Sequence, residues 1–314
     1  MISAVFTQLL QTLLLIVLAP ILVGWVNQCR AWMQNRTGPG LLQPYRVLHK
    51  LFHKEAVIAD RASSLFRVAP YVQFGCMALV ATIVPVLATD LPYAAAADAI
   101  ALVGLFALAR LFAALAAMDV GTAFGSMGAR RAMLVAFLAE PALLMVFFTP
   151  SLIAHSTSLP TIVETLAHRG FILYPSLAFA AIAFAMVALA ENGRIPVDNP
   201  ATHLELTMIH EAMILEYSAR HLALIEWASA MKLMNFAAIG IALFLPWGIV
   251  ETNGWVLTPF AIVALVVKLI GIGFALAVFE TLTAKLRIFR APEFLGTAFL
   301  LAVLGMLIRL ALEQ

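Results

Sequence analysis

Eight long apolar runs recur along this chain, and they constrain its fold more than any other feature. The runs lie at residues 4–27, 70–89, 98–117, 132–150, 172–190, 231–250, 257–279 and 294–312. An α-helix needs about 20 apolar residues to cross the hydrocarbon core of a bilayer. The sequence therefore predicts an all-α, polytopic integral membrane protein of about eight transmembrane helices, built as a single domain over residues 1–314. A cleaved signal peptide is the alternative for the first run, but that run is too long and no basic segment precedes it, so we expect a retained helix.

The composition limits what chemistry the chain can carry alone. Hydrophobic residues make up 63% and charged residues 11%, whereas soluble domains have about 25% charged residues. The two cysteines, Cys29 and Cys76, lie far apart and form no cluster-binding motif. His210-Glu211 lacks the second histidine of a zinc-binding HExxH motif, and no glycine-rich nucleotide loop is present. We therefore expect no catalytic residue, metal site or cofactor in this chain and no nucleic-acid partner, with any redox centres held by partner subunits.

The basic side chains between the apolar runs predict the orientation in the membrane. Lys and Arg concentrate in alternate loops, at 28–68, 118–131, 191–230 and 280–293, whereas the loops between them carry only Arg169. Loops rich in Lys and Arg face the cytoplasm. We expect a protein of the cell inner membrane with a basic cytoplasmic loop at 28–68, an acidic cytoplasmic loop at 191–230, and both termini outside.

The loop at 191–230 holds an unusual concentration of acids. Gly193 and Pro196 predict that it begins as a loop, and Thr202 with Glu205 three residues later predicts a capped helix from about 202 to 218. The acids could have a functional role, or they could form the solvated side of an amphipathic interfacial helix, which remains the alternative. The acids between residues 190 and 218 are Glu191, Asp198, Glu205, Glu211 and Glu216.

Two ionisable residues fall inside predicted spans. Glu140 directly precedes Pro141, and Lys268 lies near the middle of the seventh span. Charged side chains are costly within a membrane and usually serve function, although Glu140 could instead be the structural partner of Arg110 in the neighbouring span. Glu280 ends the seventh span on the cytoplasmic side.

Residues 35–55 predict a turn followed by a basic amphipathic helix. Gly38-Pro39-Gly40 form the turn. Apolar side chains then recur at helical spacing, with Arg46 and Lys50 on the opposite side, which is typical of a helix lying at a membrane surface.

Four cytoplasmic motifs carry a family resemblance. They are R-T-G-P-G-L-L-Q-P from Arg36, D-V-G-T-A-F-G-S-M-G-A from Asp119, R-I-P-V-D-N-P-A-T-H-L-E from Arg194 with its acidic continuation to E-Y-S, and A-K-L-R-I-F-R-A-P-E from Ala284. Together they resemble the membrane subunit of formate hydrogenlyase and energy-converting membrane-bound [NiFe] hydrogenases. That branch is related to the quinone-chamber subunit of respiratory complex I, whose members usually read closer to P-F-D-L-P-E-A-E after the arginine.

The resemblance implies a non-catalytic membrane-anchor and coupling subunit of an ion-translocating oxidoreductase. Its implied partners are hydrogenase-like large and small soluble subunits, an iron–sulfur subunit and antiporter-like membrane subunits, with iron–sulfur clusters and a nickel–iron centre held by those partners. The implied coupling residues are Glu140, Asp198, Glu205, Glu211, Glu216, Glu280 and Lys268. The implied docking or cavity residues are Arg36, Gly38, Pro39, Gly40, Gln43, Arg46, Lys50, Arg131, Arg194, Arg287 and Arg290. A quinone-binding subunit and a stand-alone secondary transporter remain open as alternatives, although no internal repeat favours the transporter.

Overall fold

The computed structural model describes residues 2–59, 61–168, 174–198, 208–250, 257–286 and 290–312, without the side chains of residues 2, 3 and 95. Within these ranges the chain forms eleven α-helices and no strand. The helices are α1 (Ile2–Met33), α2 (Gln43–Phe52), α3 (Ser64–Ile83), α4 (Ala99–Asp119), α5 (Ala123–Ala154), α6 (Leu159–His168), α7 (Pro175–Glu191), α8 (His210–Ile214), α9 (Ala219–Phe244), α10 (Thr258–Leu282) and α11 (Ala291–Leu312).

The predicted all-α membrane fold is confirmed. Among the described residues, seven helices are long and apolar enough to cross a membrane, namely α1, α3, α4, α5, α9, α10 and α11. The remaining predicted span, at 172–190, corresponds to α7, an apolar helix of 17 residues. At about 1.5 Å per residue α7 is ~25 Å long, somewhat shorter than the ~30 Å hydrocarbon core.

Two predicted loops are partly helical. Helix α5 begins at Ala123 rather than at 132, because the Thr122 hydroxyl caps it by accepting a hydrogen bond from the Gly125 amide at 3.3 Å. A side chain at Gly125 would meet the Ala117 carbonyl oxygen at 2.4 Å, so this helix start needs glycine. Helix α9 begins at Ala219 rather than at 231. The predicted loops 118–131 and 191–230 are therefore shorter than expected.

The continuous helix predicted for 202–218 is wrong in its described part. Only residues 210–214 are helical, and Ser218 is extended. The Ser218 hydroxyl donates to the Val57 carbonyl oxygen at 2.7 Å and accepts from the Val57 amide at 2.9 Å, which ties this end to another loop. Tyr217 donates at 3.0 Å to the Phe66 carbonyl, which has no helical donor because Pro70 lacks an N–H. These tertiary hydrogen bonds replace the last turn of the predicted helix, and residues 199–207, with Glu205, lie outside the described residues.

The basic amphipathic helix is confirmed as α2. It packs on α1 and α9, with Leu48 buried and with Arg46 and Lys50 exposed. The turn before it is held by Gln28, whose side-chain oxygen accepts from the Gly40 amide at 3.1 Å. Gly40 has a φ of 88°, a conformation that glycine adopts without strain.

Helix α1 is interrupted at Pro20. Proline at this position leaves the carbonyl of Ile16 without its helical donor. The indole N–H of Trp227 in α9 donates to that carbonyl at 3.2 Å. Pro20 also lines a cavity between α1, α2 and α9, so the interruption in α1 lies where the bundle is hollow.

Candidate functional site

Four charged side chains from four helices form a row inside the bundle. Glu191, at the end of α7, lies between Lys232 of α9 and Arg110 of α4, and Arg110 also contacts Glu140 of α5. Lys232 Nζ is 2.8 Å from Glu191 Oε2 and 2.6 Å from the Glu191 carbonyl oxygen. Each carboxylate therefore has at least one cation beside it, and the formal charges of the four groups sum to zero.

This row begins at Lys232 inside the bundle and ends at Glu140, the most exposed of the four side chains. The exposed fractions of the side chains are 22% for Lys232, 4% for Glu191 and 12% for Arg110, and 37% for Glu140. Arg110 and Glu140 lie about one-half along α4 and α5, so the pair lies within the membrane-spanning part of the protein. A row of compensated charges within a membrane is costly to build and points to a functional role.

The inner end of the row borders a cavity of about 110 Å³. Arg110, Glu191 and Lys232 line it, together with Asp198 and His210 of the following loop and α8. The chain that follows α7 contributes Asn192, Gly193 and Val197 to the lining of this cavity.

A second cavity of about 310 Å³ adjoins the first below α2. The two share Asn192, Gly193, Asp198, His210 and Ser229 as lining residues. The second is bounded also by Gln43, Arg30, Arg194, Glu211 and Glu226. The polar side chains of the basic and acidic segments therefore meet around two adjoining cavities.

Asp198 organises the loop between the two cavities. Its side chain is buried and lies 3.2 Å from Lys285 Nζ. Its other oxygen accepts from the amides of Ile209 and His210, both at 3.3 Å. Burial, assisted by the charge of Lys232 and opposed by Asp198, holds the pKa of His210 below its usual value. His210 is therefore uncharged at neutral pH.

Glu280 forms a second buried ionic centre at the end of α10. Its carboxylate lies 3.1 Å from Arg194 and 3.5 Å from Arg30 of α1, and its side chain is 1% exposed. The Leu286 amide also donates to the Pro196 carbonyl at 2.8 Å. These contacts join the end of α10 to the loop that follows α7.

The structure separates the predicted coupling residues into groups. Asp198 and Glu211 line the cavities and Glu280 lies beside them through Arg194, whereas Glu216 is exposed in a turn. Lys268 lies apart, where its ammonium group donates to the carbonyls of Leu245 and Trp247 beyond the C-terminus of α9.

The predicted docking and cavity residues are also divided. Gln43 and Arg194 line the second cavity. Arg131 donates to the Met208 carbonyl at 3.0 Å and so fixes the start of the α8 segment. Gly38 packs against Gln28. The remaining described members of this group are exposed, namely Arg36, Pro39, Gly40, Arg46, Lys50 and Arg290; Arg287 lies outside the described residues.

Sequence reasoning misses the centre of the row. The sequence did suggest Arg110 as a structural partner of Glu140, and the structure contains this ion pair. Glu191 stands out in the sequence only as one acid of a segment, and Lys232 does not stand out at all. The argument that singles out Glu140, that a charge within a span is costly, could have identified both residues. Lys232 falls inside a predicted span and Glu191 directly follows one.

Comparison with known proteins identifies the family. The family model described as NADH dehydrogenase matches residues 6–311. Formate hydrogenlyase subunit 4 of Escherichia coli (strain K12) is 33% identical over 311 residues, covering 98% of this chain and 99% of that protein. Hydrogenase-4 component C of the same organism is 36% identical over 240 residues, covering 76% and 75%. An NADH-quinone oxidoreductase subunit of Streptomyces avermitilis is 27% identical over 256 residues, covering 72% of this chain and 54% of that protein.

The fold also has a counterpart among solved structures. A chain of the membrane-bound sulfane sulfur reductase, an archaeal respiratory membrane complex, superposes with a TM-score of 0.84 at 21% identity. The match covers 96% of this chain and 98% of that one. With the motifs, the fold and the sequence matches in agreement, this chain belongs to the NADH dehydrogenase family, among the membrane subunits similar to formate hydrogenlyase subunit 4 and hydrogenase-4 component C.

Proposed function

We propose that this chain is the membrane-anchor and coupling subunit of a complex I-like oxidoreductase of the hydrogenase or formate hydrogenlyase type. The observation that carries the proposal is the row Lys232–Glu191–Arg110–Glu140, which connects a polar cavity to the outer surface of the bundle. The subunit itself performs no redox chemistry. It converts a change of charge in the soluble partner subunits, here called the soluble arm, into movement of an ion.

Arg110 is the group through which the two carboxylates of the row act on each other. An arginine side chain stays protonated in proteins, so it does not carry the proton itself. It can, however, share its attraction between Glu140 and Glu191. When Glu191 takes up a proton, Arg110 is released to stabilise the charged form of Glu140, so that a Glu140 side chain carrying a proton loses it more easily. Proton uptake from the cavity by Glu191 thus favours proton transfer from Glu140 to the neighbouring membrane subunit.

The driving signal comes from the cavity side. Reduction or oxidation of an iron–sulfur cluster near the cytoplasmic face changes the local charge, and charges interact strongly where the dielectric constant is low. Asp198, His210 and the inner end of the row would feel that change first. Lys232 transmits it, because it borders the cavity and contacts Glu191 directly.

The exposed basic side of α2 supplies the docking surface for the soluble arm. Arg46 and Lys50 are exposed there, while Leu48 fixes the helix to the bundle. The partners of the proposal are hydrogenase-like large and small subunits, an iron–sulfur subunit, and antiporter-like subunits in the same membrane. The soluble partners carry the iron–sulfur and nickel–iron centres. Docking of the soluble arm on α2 places α2 in the cytoplasm, and the proposed protein lies in the cell inner membrane with both termini outside.

A quinone-binding subunit is the second candidate. It is supported by the cavity of about 310 Å³ below α2 and by the similarity to the NADH-quinone oxidoreductase subunit of Streptomyces avermitilis. A quinone-reduction assay on the purified complex distinguishes the two functions. Reduction of added quinone at the rate of substrate oxidation favours the second candidate, and hydrogen turnover without quinone reduction favours the first.

The coupling role is tested by Glu140→Gln. This change keeps the shape and the hydrogen-bonding capacity of the side chain but removes its titratable proton. We expect the complex to assemble and to load its clusters, while ion pumping in inverted vesicles falls sharply. Glu164→Gln on α6 is the matched control, because Glu164 lies outside the row of charges. A Glu140→Gln complex that pumps at the wild-type rate excludes Glu140 from the pathway.

A further inference from the structure

The outward face of α5 combines large apolar side chains with hydrogen-bond acceptors, one of which is the Glu140 carboxylate that Arg110 contacts through a single oxygen. Leu134 is 51% exposed and Phe137 is 77% exposed. Glu140 lies on the same side of the helix, three residues after Phe137, and its side chain is 37% exposed. This surface lies at the middle of a 32-residue helix, so the carboxylate faces sideways within the membrane.

Pro141 adds a second acceptor to this face. A proline has no N–H, so the carbonyl of Phe137 loses its helical hydrogen bond. At two other helix prolines, Pro20 and Pro70, a side chain of this protein donates to the carbonyl that proline leaves free. Among the residues the structure describes, no side chain does this for Phe137. The carbonyl and the second oxygen of the Glu140 carboxylate, which Arg110 does not contact, therefore form a patch of acceptors.

Lipid cannot satisfy such a patch. Hydrocarbon chains offer no hydrogen-bond donor, and an unsatisfied polar group exposed to them costs several kcal/mol. The outward face of α10 gives the contrast within the same molecule, because Phe260, Val263, Val267 and Phe274 leave only apolar surface exposed there, at 51–64%. The α10 face can therefore contact lipid without leaving a polar group unsatisfied, whereas the acceptors on the α5 face need a hydrogen-bond donor.

The charge of the row limits which donor fits. Arg110 and Lys232 balance Glu140 and Glu191, so the four groups have no net formal charge. A lysine or arginine from outside would leave an uncompensated cation within the membrane, which is costly. An uncharged donor, such as a hydroxyl or a carboxamide, satisfies the acceptors without that penalty.

We infer that the α5 face of Leu134, Phe137 and Glu140 is the contact surface for a transmembrane helix of a second membrane subunit, and that this helix offers an uncharged hydrogen-bond donor to the patch. The inference deepens the proposed coupling role and rests on it for the existence of a membrane complex. Phe137 and Leu134 supply the apolar packing, and Glu140 and the Phe137 carbonyl fix the register of the partner helix.

Photo-crosslinking in the intact complex tests the surface. A benzoylphenylalanine replaces Phe137, and in a matched control it replaces Phe274 on α10. We expect the probe at 137 to crosslink to one other membrane subunit, at a segment that carries Ser, Thr, Tyr, Asn or Gln within one helical turn. The probe at 274 reports the crosslinking pattern of an outward phenylalanine on an apolar face. If the probe at 137 labels lipid alone, or labels a partner segment without an uncharged donor, the inference is wrong.

Loss of the acceptor gives a second, independent measurement. Glu140→Leu removes the carboxylate but keeps an apolar surface, and we expect the partner subunit to dissociate about three- to thirtyfold more readily in detergent, as for one lost interhelical hydrogen bond. Val267→Leu on α10 is the control and should leave retention unchanged. Undiminished retention of the partner in Glu140→Leu contradicts the inference. A correct crosslink together with normal pumping in Glu140→Gln would leave the contact surface standing and exclude the coupling role, so the two failures are distinguishable.

Discussion

Glu191→Gln should damage the protein far more than Glu140→Gln, although both remove one carboxylate from the same row. Glu191 contacts both cations of the row, whereas Glu140 pairs, within the part of the chain that the structure describes, with Arg110 alone. Without the Glu191 charge, Lys232 keeps a backbone carbonyl as its partner but has no counter-ion left in the row. Without the Glu140 charge, Arg110 and Lys232 still share the buried Glu191.

The structure gives the magnitudes. Breaking a buried ion pair by removing one partner typically costs about 3–5 kcal/mol, because the other charge stays buried without compensation. We assign that range to Glu191→Gln, since its side chain is 4% exposed. Glu140 is 37% exposed, and its replacement weakens one interhelical hydrogen bond while Arg110 keeps Glu191 as a counter-ion, so we expect about 1 kcal/mol. The difference corresponds to roughly two to three orders of magnitude in the ratio of folded to unfolded protein.

Denaturation of the purified membrane subunit in mixed detergent micelles measures this difference, with assembly of the complex as the second readout. The double variant Glu191→Gln, Lys232→Met provides the control, because it leaves only the neutral pair of Arg110 and Glu140 and should recover most of the lost stability. If Glu191→Gln is as stable as the wild type, or Glu140→Gln loses as much as Glu191→Gln, then the two cations do not depend on Glu191 and the reasoning fails.

Three further predictions concern the groups around the row. Charge reversal at Arg46 and Lys50 should release the soluble arm without unfolding the membrane helices, because exposed charges contribute to recognition more than to stability; arm occupancy in pull-downs measures this, and full occupancy in high salt contradicts it. Glu280→Gln should destabilise the subunit by about 3–5 kcal/mol, because it leaves two arginines beside a buried neutral side chain; mixed-micelle denaturation measures this, and wild-type stability contradicts it. Lys268→Met should weaken the packing of α10 but leave ion pumping per assembled complex unchanged, because Lys268 binds carbonyls beyond α9 rather than the row; a selective loss of pumping would instead return Lys268 to the coupling pathway.

The sequence alone determined the class of the protein and most of its helices. Each predicted span corresponds to a helix, since a 20-residue apolar run in a membrane has few alternatives to a helix that satisfies its own backbone hydrogen bonds. The amphipathic α2 was predictable for a related reason, because the spacing of Leu48 and its apolar neighbours from Arg46 and Lys50 already defines two faces. Glu140 could be singled out because a carboxylate within a span is costly wherever its partner lies.

Only the tertiary structure decided how the charged residues are grouped. Glu191, Arg110 and Lys232 are far apart along the chain, and their contact depends on where the short α7 ends relative to α4 and α9. The end of the predicted helix at 202–218 was likewise decided by partners distant in sequence, namely Phe66 and Val57. Periodicity reports which side of a helix is apolar, but it carries no information about the depth and rotation at which helices pack. Those two quantities determine which buried charges meet, and they are set by side-chain packing across the whole bundle.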